Sequence, residues 1–278
     1  MPSALKIRHI DFQFPDDMPW NWNPGNPAWG NAGLFFCLTA PGFERYFIKA
    51  IRQAMPQIKN PSIAEEADLF CKQEGQHSRH HQAHIAMLTK RYPDLKQVMT
   101  EIMQSYDELY EQESQDFHLA YAAVVEATFS PLTKFVVDNR HHLFKESDTR
   151  MASFLMWHLM EEYEHRSSAL NIYNDVVGSY WYRLRMAPRV IKHLMSVIQL
   201  IEKRCNACVP AQDMGAPMNM NDQSFLKTIP LTSKLGMVWD LACTLLPFHN
   251  PDHAASSPWI KQWFADEAAG ADMTTYYS

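Results

Sequence analysis

Two Glu-x-x-His pairs constrain the fold of this chain more than any other feature of its sequence. Glu74 and His77 form the first pair, in KQEGQH, and Glu162 and His165 form the second, in EEYEH. Residues three apart on a helix project side by side from one face, so each pair directs a carboxylate and an imidazole the same way. A single pair of this kind is common on a solvated helix face. The interpretation therefore depends on what accompanies the two pairs.

Two further glutamates stand in apolar surroundings that are typical of buried helices. Glu44 lies in LFFCLTAPGFERYFIKAI and Glu126 lies in LAYAAVVEATF. A carboxylate in a helical core costs several kcal/mol unless it is paired or binds a metal. One glutamate from each of two helices, with Glu-x-x-His from each of two others, is the ligand set of a dimetal carboxylate bundle. The sequence thus predicts a dimetal site formed by Glu44, Glu74, His77, Glu126, Glu162 and His165.

The chemistry of these donors predicts the metal. Carboxylate and imidazole ligands favour hard and borderline divalent ions, and no set of thiolates indicates structural zinc. Two iron ions are predicted, and the alternatives are manganese, a mixed manganese–iron pair and zinc.

Other histidines lie close to the predicted ligands along the same helices. His158 precedes Glu162 by four residues, which places it on the face of Glu162 and His165, either as a third ligand or as a hydrogen-bond partner of one. His81 follows His77 by four residues and is a candidate to contact the cavity or carry a proton. Surface or packing roles are favoured for His81 and for its neighbours His80 and His84.

Glycine supplies 9 of 278 residues, and strand-like alternation is scarce, so the chain is predicted to be all-α. An irregular, tryptophan-rich arm is expected over residues 1–39, a dimetal-binding bundle over 40–180, and additional helices packed on it as part of the same domain over 181–278. Proline and capping signals place four long helices in the bundle, with Ser62 and Glu65 as a capping box. Their predicted ranges are 42–59, 62–92, 94–129 with an extension past Ser130-Pro131 to 143, and 147–178. A further helix is expected around 190–203, and a loop at 210–222.

Charge and composition exclude several classes of partner and favour a small-molecule substrate. The net charge is -6, so no broad basic surface is expected to attract nucleic acid or anionic lipid. The first residues, MPSALKIRHIDFQFPDD, lack the apolar run of an export signal, and five cysteines fit a reducing compartment, so a cytoplasmic location is expected. Lys234 and Asp240 interrupt the apolar stretch that starts at Ile229, which predicts a buried helix and no transmembrane segment. Cys205 and Cys208 form a lone C-x-x-C, expected to be two helix-end thiols.

Four segments together resemble the family called predicted metal-dependent hydrolases, over most of the chain: RHIDFQFPDDMPWNW, PGFERYFIKAIRQ, EGQHSRHHQAH and WHLMEEYEHRS. The metal motif is similar to that of ferritin-like di-iron proteins, which implies a ferritin-like four-helix bundle. The triplet His158, Glu162 and His165 is similar to that of the p-aminobenzoate N-oxygenases, whose iron site has an additional histidine there. The resemblance also implies that Glu161 occupies the place of an aspartate that hydrogen-bonds a ligand histidine in related di-iron proteins; an exposed helix charge is the alternative.

These resemblances imply a non-haem di-iron oxygenase or oxidase that activates O2 and acts on a small organic substrate, with N-oxygenation as one reaction. No nucleotide-binding motif is present, so an external electron donor is expected. A dimetal-dependent hydrolase uses the same ligands and is the first alternative. The second is a ferritin-like iron-binding protein without substrate turnover. The sequence leaves the oligomeric state open, with a homodimer among the expectations.

Overall fold

Every regular element that the structure describes is helical, as expected. The structure is a computed structural model, and it describes residues 5–253 and 257–277. Short 3-10 turns occupy Met55–Gln57, Ser224–Leu226 and Pro251–His253. The α-helices are α1 Pro27–Ala54, α2 Pro61–Arg91, α3 Leu95–Gln112, α4 Gln115–Asp138, α5 Arg140–Leu143, α6 Thr149–Glu164, α7 Ser168–Val176, α8 Tyr180–Cys208, α9 Ala211–Met214, α10 Leu231–Cys243 and α11 Pro258–Ala268.

The first helix begins earlier than the sequence indicated. Asn26 caps α1 by accepting a hydrogen bond from the Trp29 N–H, Pro27 occupies the first turn, and the helix continues through Pro41. A proline inside a helix removes one backbone hydrogen bond, which is why a start after Pro41 was predicted. That prediction is wrong, because the helix is buried along most of its length and tertiary packing offsets the lost bond. The irregular arm consequently ends at residue 26 rather than 39.

The break between the third and fourth helices also differs from the prediction. Pro131 lies inside α4, and the chain breaks at Glu113 and Ser114 instead. Ser114 starts α4 as its N-cap, with its hydroxyl accepting from the Phe117 N–H at 3.3 Å. The predicted single helix over 94–129 is therefore two helices, and α3 carries none of the predicted metal ligands.

Two other helix boundaries were predicted incorrectly. The Asn60 side chain caps α2 by accepting from the Ser62 N–H at 3.0 Å, so the proposed Ser62–Glu65 capping box does not form. The predicted helix over 147–178 is interrupted, because α6 ends at Glu164 and α7 starts at Ser168. His165 is the C-cap of α6, and Gly178, with a φ of 67°, ends the segment after α7.

Four helices, α1, α2, α4 and α6, supply the predicted ligands. The helix α1 packs along α2 and also contacts α4, and α4 contacts α6. Helix α7 packs against α2 and α4, and α8 covers α3 and α4 from outside. The ligand-bearing helices thus share one core.

The N-terminal arm packs onto this core with its aromatic side chains, as its composition predicted. Trp20 and Trp22 are each 1% exposed. Earlier in the arm, the ring of Phe12 contacts those of Trp157 and His80. The arm therefore covers the side of the core that α2 and α6 form.

Helix α10 forms where an apolar helix was expected, but the expectation that it is buried is wrong. None of its residues is buried, and it packs against α4 with its partly polar side. In the part of the chain that the structure describes, no helix has both the length and the apolar character needed to cross a membrane.

Gly42 lets α1 and α3 approach closely, and we expect Gly42→Ala to destabilise the protein. A Cβ at this position would lie 2.6 Å from Cε2 of Tyr106, a ring that is 1% exposed and cannot move freely. Overpacking of this kind costs about 1–3 kcal/mol. Thermal and urea unfolding, followed by circular dichroism, measure the change.

Gly75→Ala is the matched control, because this glycine is exposed on α2 and its Cβ would meet no atom within 4 Å. Alanine loses less backbone entropy than glycine on folding, so the free energy of unfolding of the control should rise by about 0.5–1 kcal/mol. Equal stabilisation of both variants would contradict the close packing of α1 on α3.

Candidate metal centre

The predicted metal ligands lie together in the core that α1, α2, α4 and α6 form. None of them is more than 1% exposed. His81 of α2 joins them, with no exposed surface. The complete cluster, which we call the acidic core, contains Glu44, Glu74, His77, His81, Glu126, His158, Glu162 and His165.

One group within the acidic core contains both Glu-x-x-His pairs. Glu74, His77, Glu162 and His165 each offer one atom, and these four atoms lie within 4.8 Å of one another. Nε2 of His165 lies 3.1 Å from Oε1 of Glu74. Nδ1 of His77 lies 3.7 Å from Oε1 of Glu162. Two motifs that lie more than eighty residues apart in sequence thus direct their donors to one point.

A second group contains Glu44, His81 and His158, each of which offers one atom, and these three atoms also lie within 4.8 Å of one another. Nε2 of each histidine lies 3.9 Å from Oε1 of Glu44. His158 links the two groups, because its Nε2 lies 2.7 Å from Oε1 of Glu162 while its Nδ1 lies 2.8 Å from Nε2 of His81. The face shared by His158 and Glu162 was anticipated from their spacing.

The histidines that follow His77 are all buried, so none of them has the surface role that the sequence left open. The two ring nitrogens of His80 each lie 2.8 Å from a backbone carbonyl oxygen, that of Gln76 or that of Ile10. The ring of His84 packs against Phe14 of the arm. His80 and His84 therefore have packing roles, whereas His81 belongs to the acidic core.

Glu126 of α4 lies beside the first group, and its Oε2 is 3.3 Å from Nδ1 of His165. The contact is short enough for a hydrogen bond but is not aligned as one, since both Nδ1 of His165 and Oε2 of Glu126 are buried without a hydrogen-bond partner. The two groups are close enough to attract each other when His165 is protonated, although no aligned hydrogen bond joins them.

Unpaired oxygens are the feature that tests whether a metal fits here. Both carboxylate oxygens of Glu44, Glu74 and Glu126 are buried and accept no hydrogen bond, and neither does Oε2 of Glu162. Native proteins rarely leave such atoms unsatisfied, because an unpaired buried charge is very costly. A divalent cation would satisfy them, so these residues fit a metal centre.

Burial changes the protonation of the acidic core in ways that favour neutral groups. Burial raises the pKa of Glu44, and the negative charge of Glu74 raises it further. For Glu162, burial and then the charge of Glu126 have the same effect on the pKa. Burial lowers the pKa of His77 to about 3, so its imidazole is neutral, the state that binds metals.

His165 is the exception among the histidines. Burial lowers its pKa, but the carboxylates of Glu162, Glu126 and Glu74 together outweigh that effect and hold the pKa well above its usual value. In the absence of a cation, this imidazole therefore carries the positive charge that the surrounding carboxylates require.

Glu161 contacts a histidine of the acidic core from outside. Its Oε2 lies 3.0 Å from Nε2 of His77. When this nitrogen carries the ring proton, it donates a hydrogen bond to Glu161. Nδ1 of His77 then has a lone pair that faces Glu74 and Glu162. Burial raises the pKa of Glu161 to about 7 even though the charge of Arg8 lowers it.

Arg8 of the N-terminal arm supports Glu161, and no pattern in the sequence pointed to this residue. Its guanidinium donates to Glu161 at 3.3 Å and makes two bonds of 2.8 Å to Glu164. Gln73 donates to the same Glu164 carboxylate at 2.7 Å. The guanidinium also lies 5.2 Å from the ring centre of Phe264 in α11. More than 150 residues separate Arg8 from Glu161, so no local pattern could connect them.

Aromatic rings surround the acidic core. Phe36 packs against His158 at 4.7 Å between ring centres, Phe70 against His165 at 4.8 Å, and Trp157 against His77 at 5.0 Å. These rings exclude water and lower the local dielectric, which strengthens every electrostatic interaction at the centre.

The C-x-x-C pair lies away from this centre, in the last turn of α8. Cys205 is buried and Cys208 is partly buried, and both are free thiols. Among the described residues, neither belongs to a group of side chains able to hold a metal ion. Both thiols lie at a helix end, which is the position that the sequence predicted.

Replacement of Glu161 tests its contact with His77. We expect Glu161→Leu to weaken divalent-metal binding by about 10–100-fold, because nothing would then orient the imidazole. Glu161→Gln is the matched control, since its amide oxygen can still accept from His77, and its affinity should fall less. Competition with a chromogenic chelator measures both. Equal affinities of Glu161→Leu and the unchanged protein would contradict an orienting role.

Comparison with known proteins is consistent with a metal centre. Searches of curated proteins and of solved structures find no significant match. A family model described as predicted metal-dependent hydrolase matches residues 6–253, a range that includes the arm with Arg8 and the whole acidic core. This match covers most of the chain, which therefore belongs to the family of predicted metal-dependent hydrolases.

Proposed function

We propose that the acidic core binds two divalent metal ions and that the protein is a metal-dependent enzyme. The observation that carries this proposal is the set of seven buried carboxylate oxygens, on four glutamates, that have no hydrogen-bond partner. Four carboxylates and four imidazoles are enough donors for two ions. Glutamates from two helices and Glu-x-x-His motifs from two others match the ligand set of ferritin-like dimetal proteins.

We further propose that the metal is iron and that the reaction is an O2-dependent oxidation of a small organic molecule, with N-oxygenation of an amine as one candidate. Iron would supply the electron chemistry with O2 that the side chains lack. The donor set of oxygen and nitrogen atoms supports iron or manganese over a thiolate-bound ion. The resemblance of the His158, Glu162 and His165 triplet to that of N-oxygenases supports oxidation.

The environment of the acidic core also supports oxidation. Its ligand residues are at most 1% exposed, and aromatic rings pack against three of its histidines. Such a space suits O2, which is small and apolar, and it protects an oxidising centre from side reactions with water. The external electron donor would have to deliver electrons through this protein wall.

The residues of the chain have separate roles in this proposal. Glu44, Glu74, Glu126 and Glu162 provide negative charge that offsets the charge of the ions, and the histidines provide neutral donors. Glu161 holds the proton on Nε2 of His77 so that Nδ1 faces the centre. Phe36, Phe70 and Trp157 keep water away.

Hydrolysis is the second candidate function, because the name of the family favours it. Paired ions can hold a hydroxide and polarise an ester or phosphate with the same ligands. A hydrolase must admit water to the ions, and the aromatic rings that pack around the acidic core do not favour this. Iron binding without turnover is the remaining alternative, and it needs no substrate.

Metal content and O2 consumption distinguish these functions. We expect anaerobically purified protein to bind about two Fe²⁺ per chain and, after reduction, to consume O2 rapidly. His165→Ala should lose metal and O2 consumption. His141→Ala is the matched control, because His141 is an exposed histidine on α5, and it should behave like the unchanged protein.

Two results would contradict the oxidase proposal. Iron-loaded, reduced protein that is inert to O2, while a zinc- or manganese-loaded form cleaves esters or phosphates, would assign hydrolysis. Rapid O2 consumption that only deposits ferric iron, with no oxidised product from any amine or other small organic compound tested, would assign iron binding.

A further inference from the structure

Helix α10 is an apolar helix that the described residues of the chain, 5–253 and 257–277, leave without a buried side chain. None of its thirteen residues is buried. Two of them are charged, Lys234 and Asp240. Most helices in proteins are stabilised by burying an apolar face rather than by intrinsic propensity. A helix of this composition with no buried residue is therefore incomplete in a single copy of the chain.

The exposed residues of α10 occupy one side of the helix. Leu231, Leu235 and Val238 are 60–66% exposed, and Trp239 is 68% exposed. Spacings of four, three and one residue place them within about a quarter of the helix circumference. The turn that follows continues the surface with Leu245, Leu246 and Phe248, of which Phe248 is 79% exposed. We call these seven residues the α10 face.

The start of α8 extends this surface. Trp181 is 74% exposed, and the neighbouring Tyr180 donates a hydrogen bond from its hydroxyl to the Leu245 carbonyl at 3.0 Å. Arg183 donates to the Thr244 carbonyl at 3.1 Å. These bonds hold the start of α8 beside the turn after α10, so the exposed Trp181 lies near that turn.

The size of the surface is typical of an interface. The full area of a large apolar side chain is roughly 200 Å². At their observed exposed fractions, the residues of the α10 face and Trp181 together expose on the order of 1,000 Å². The largest apolar patch of a typical monomer is about 300–600 Å². A standard protein–protein interface buries about 800 Å² on each partner. This surface is large enough for a stable dimer.

The lack of charge on the α10 face suits another copy of the chain as its occupant. None of the residues of the α10 face is charged. Lys234 donates from Nζ to the Leu226 carbonyl at 3.3 Å, and Asp240 lies near Lys134 on the α4 side. In a two-fold contact each residue meets the same residue of the partner copy or the neighbours of that residue. A face without charged residues therefore brings no like charges together. A bilayer surface is less suited, since anionic lipid would repel a chain with a net charge of -6.

We propose that the α10 face and Trp181 form the interface of a two-fold symmetric homodimer. The proposal does not depend on the function of the acidic core. It explains why an apolar helix without buried residues persists, because the partner's α10 covers it. On its inner side, a cavity of about 260 Å³ lies between part of α10 and α4, so α10 contacts the core over only part of its length.

Sedimentation equilibrium of the full chain tests the proposal. We expect the unchanged protein to be dimeric, and Leu235→Glu and Trp239→Glu each to raise the dimer dissociation constant at least about ten-fold. Both side chains are exposed in a single chain, so the substitutions remove no internal packing. Ile191→Glu is the matched control, because Ile191 is 53% exposed on α8, about three turns beyond Trp181. The dimer dissociation constant of this variant should equal that of the unchanged protein.

A cross-linking measurement remains informative if a charged variant does not fold. We expect oxidised Val238→Cys to form a disulfide-linked dimer far faster than oxidised Ile191→Cys. The proposal would be overturned by an unchanged protein that is monomeric at its highest soluble concentration, by charged variants that dimerise normally, or by equal cross-linking of the two cysteine variants. Binding of a monomeric chain to phosphatidylserine vesicles would also overturn it and would assign the surface to a membrane.

Discussion

The rest of the structure depends on the enclosure of four glutamates in a helical core without enough hydrogen bonds to satisfy them. Glu44, Glu74, Glu126 and Glu162 are each at most 1% exposed. Four negative charges enclosed together in a medium of low dielectric would repel one another and oppose folding strongly. Without a cation the core must take up protons, as the raised pKa values of Glu44, Glu162 and His165 indicate. Two divalent ions would remove this cost and tie α1, α2, α4 and α6 together.

The arm and the end of the chain acquire a role through the same constraint. Arg8 reaches the core from the arm and contacts Glu161 and Glu164, while the aromatic side chains of α11 lie against its guanidinium. Glu161 in turn contacts His77. Two terminal segments that carry no candidate ligand thereby hold a histidine of the acidic core in one orientation. This connection gives a physical reason for the chain to be longer than its four ligand-bearing helices.

The residues of the acidic core could be predicted from the sequence because helical spacing is local. The Glu-x-x-His pairs and the two glutamates in apolar runs identified the side chains that the fold brings together. Helix breaks were harder to predict, because tertiary packing lets Pro41 and Pro131 lie inside helices while Ser114 starts a new one. The roles of His81 and Arg8 depend on contacts between distant segments, and no periodicity reports such contacts. The exposure of α10 was hidden for a related reason, since an apolar sequence indicates burial but not the chain that provides it.

Anomalous X-ray diffraction can show whether two metal ions occupy the acidic core, as we propose. Crystals of the full chain prepared with Fe²⁺ under anaerobic conditions would be measured above and below the iron absorption edge. The account predicts two iron peaks about 3.5–4 Å apart, surrounded by Glu44, Glu74, Glu126, Glu162 and their histidines. An acidic core without anomalous density, in crystals that contain iron elsewhere or none at all, would contradict the account.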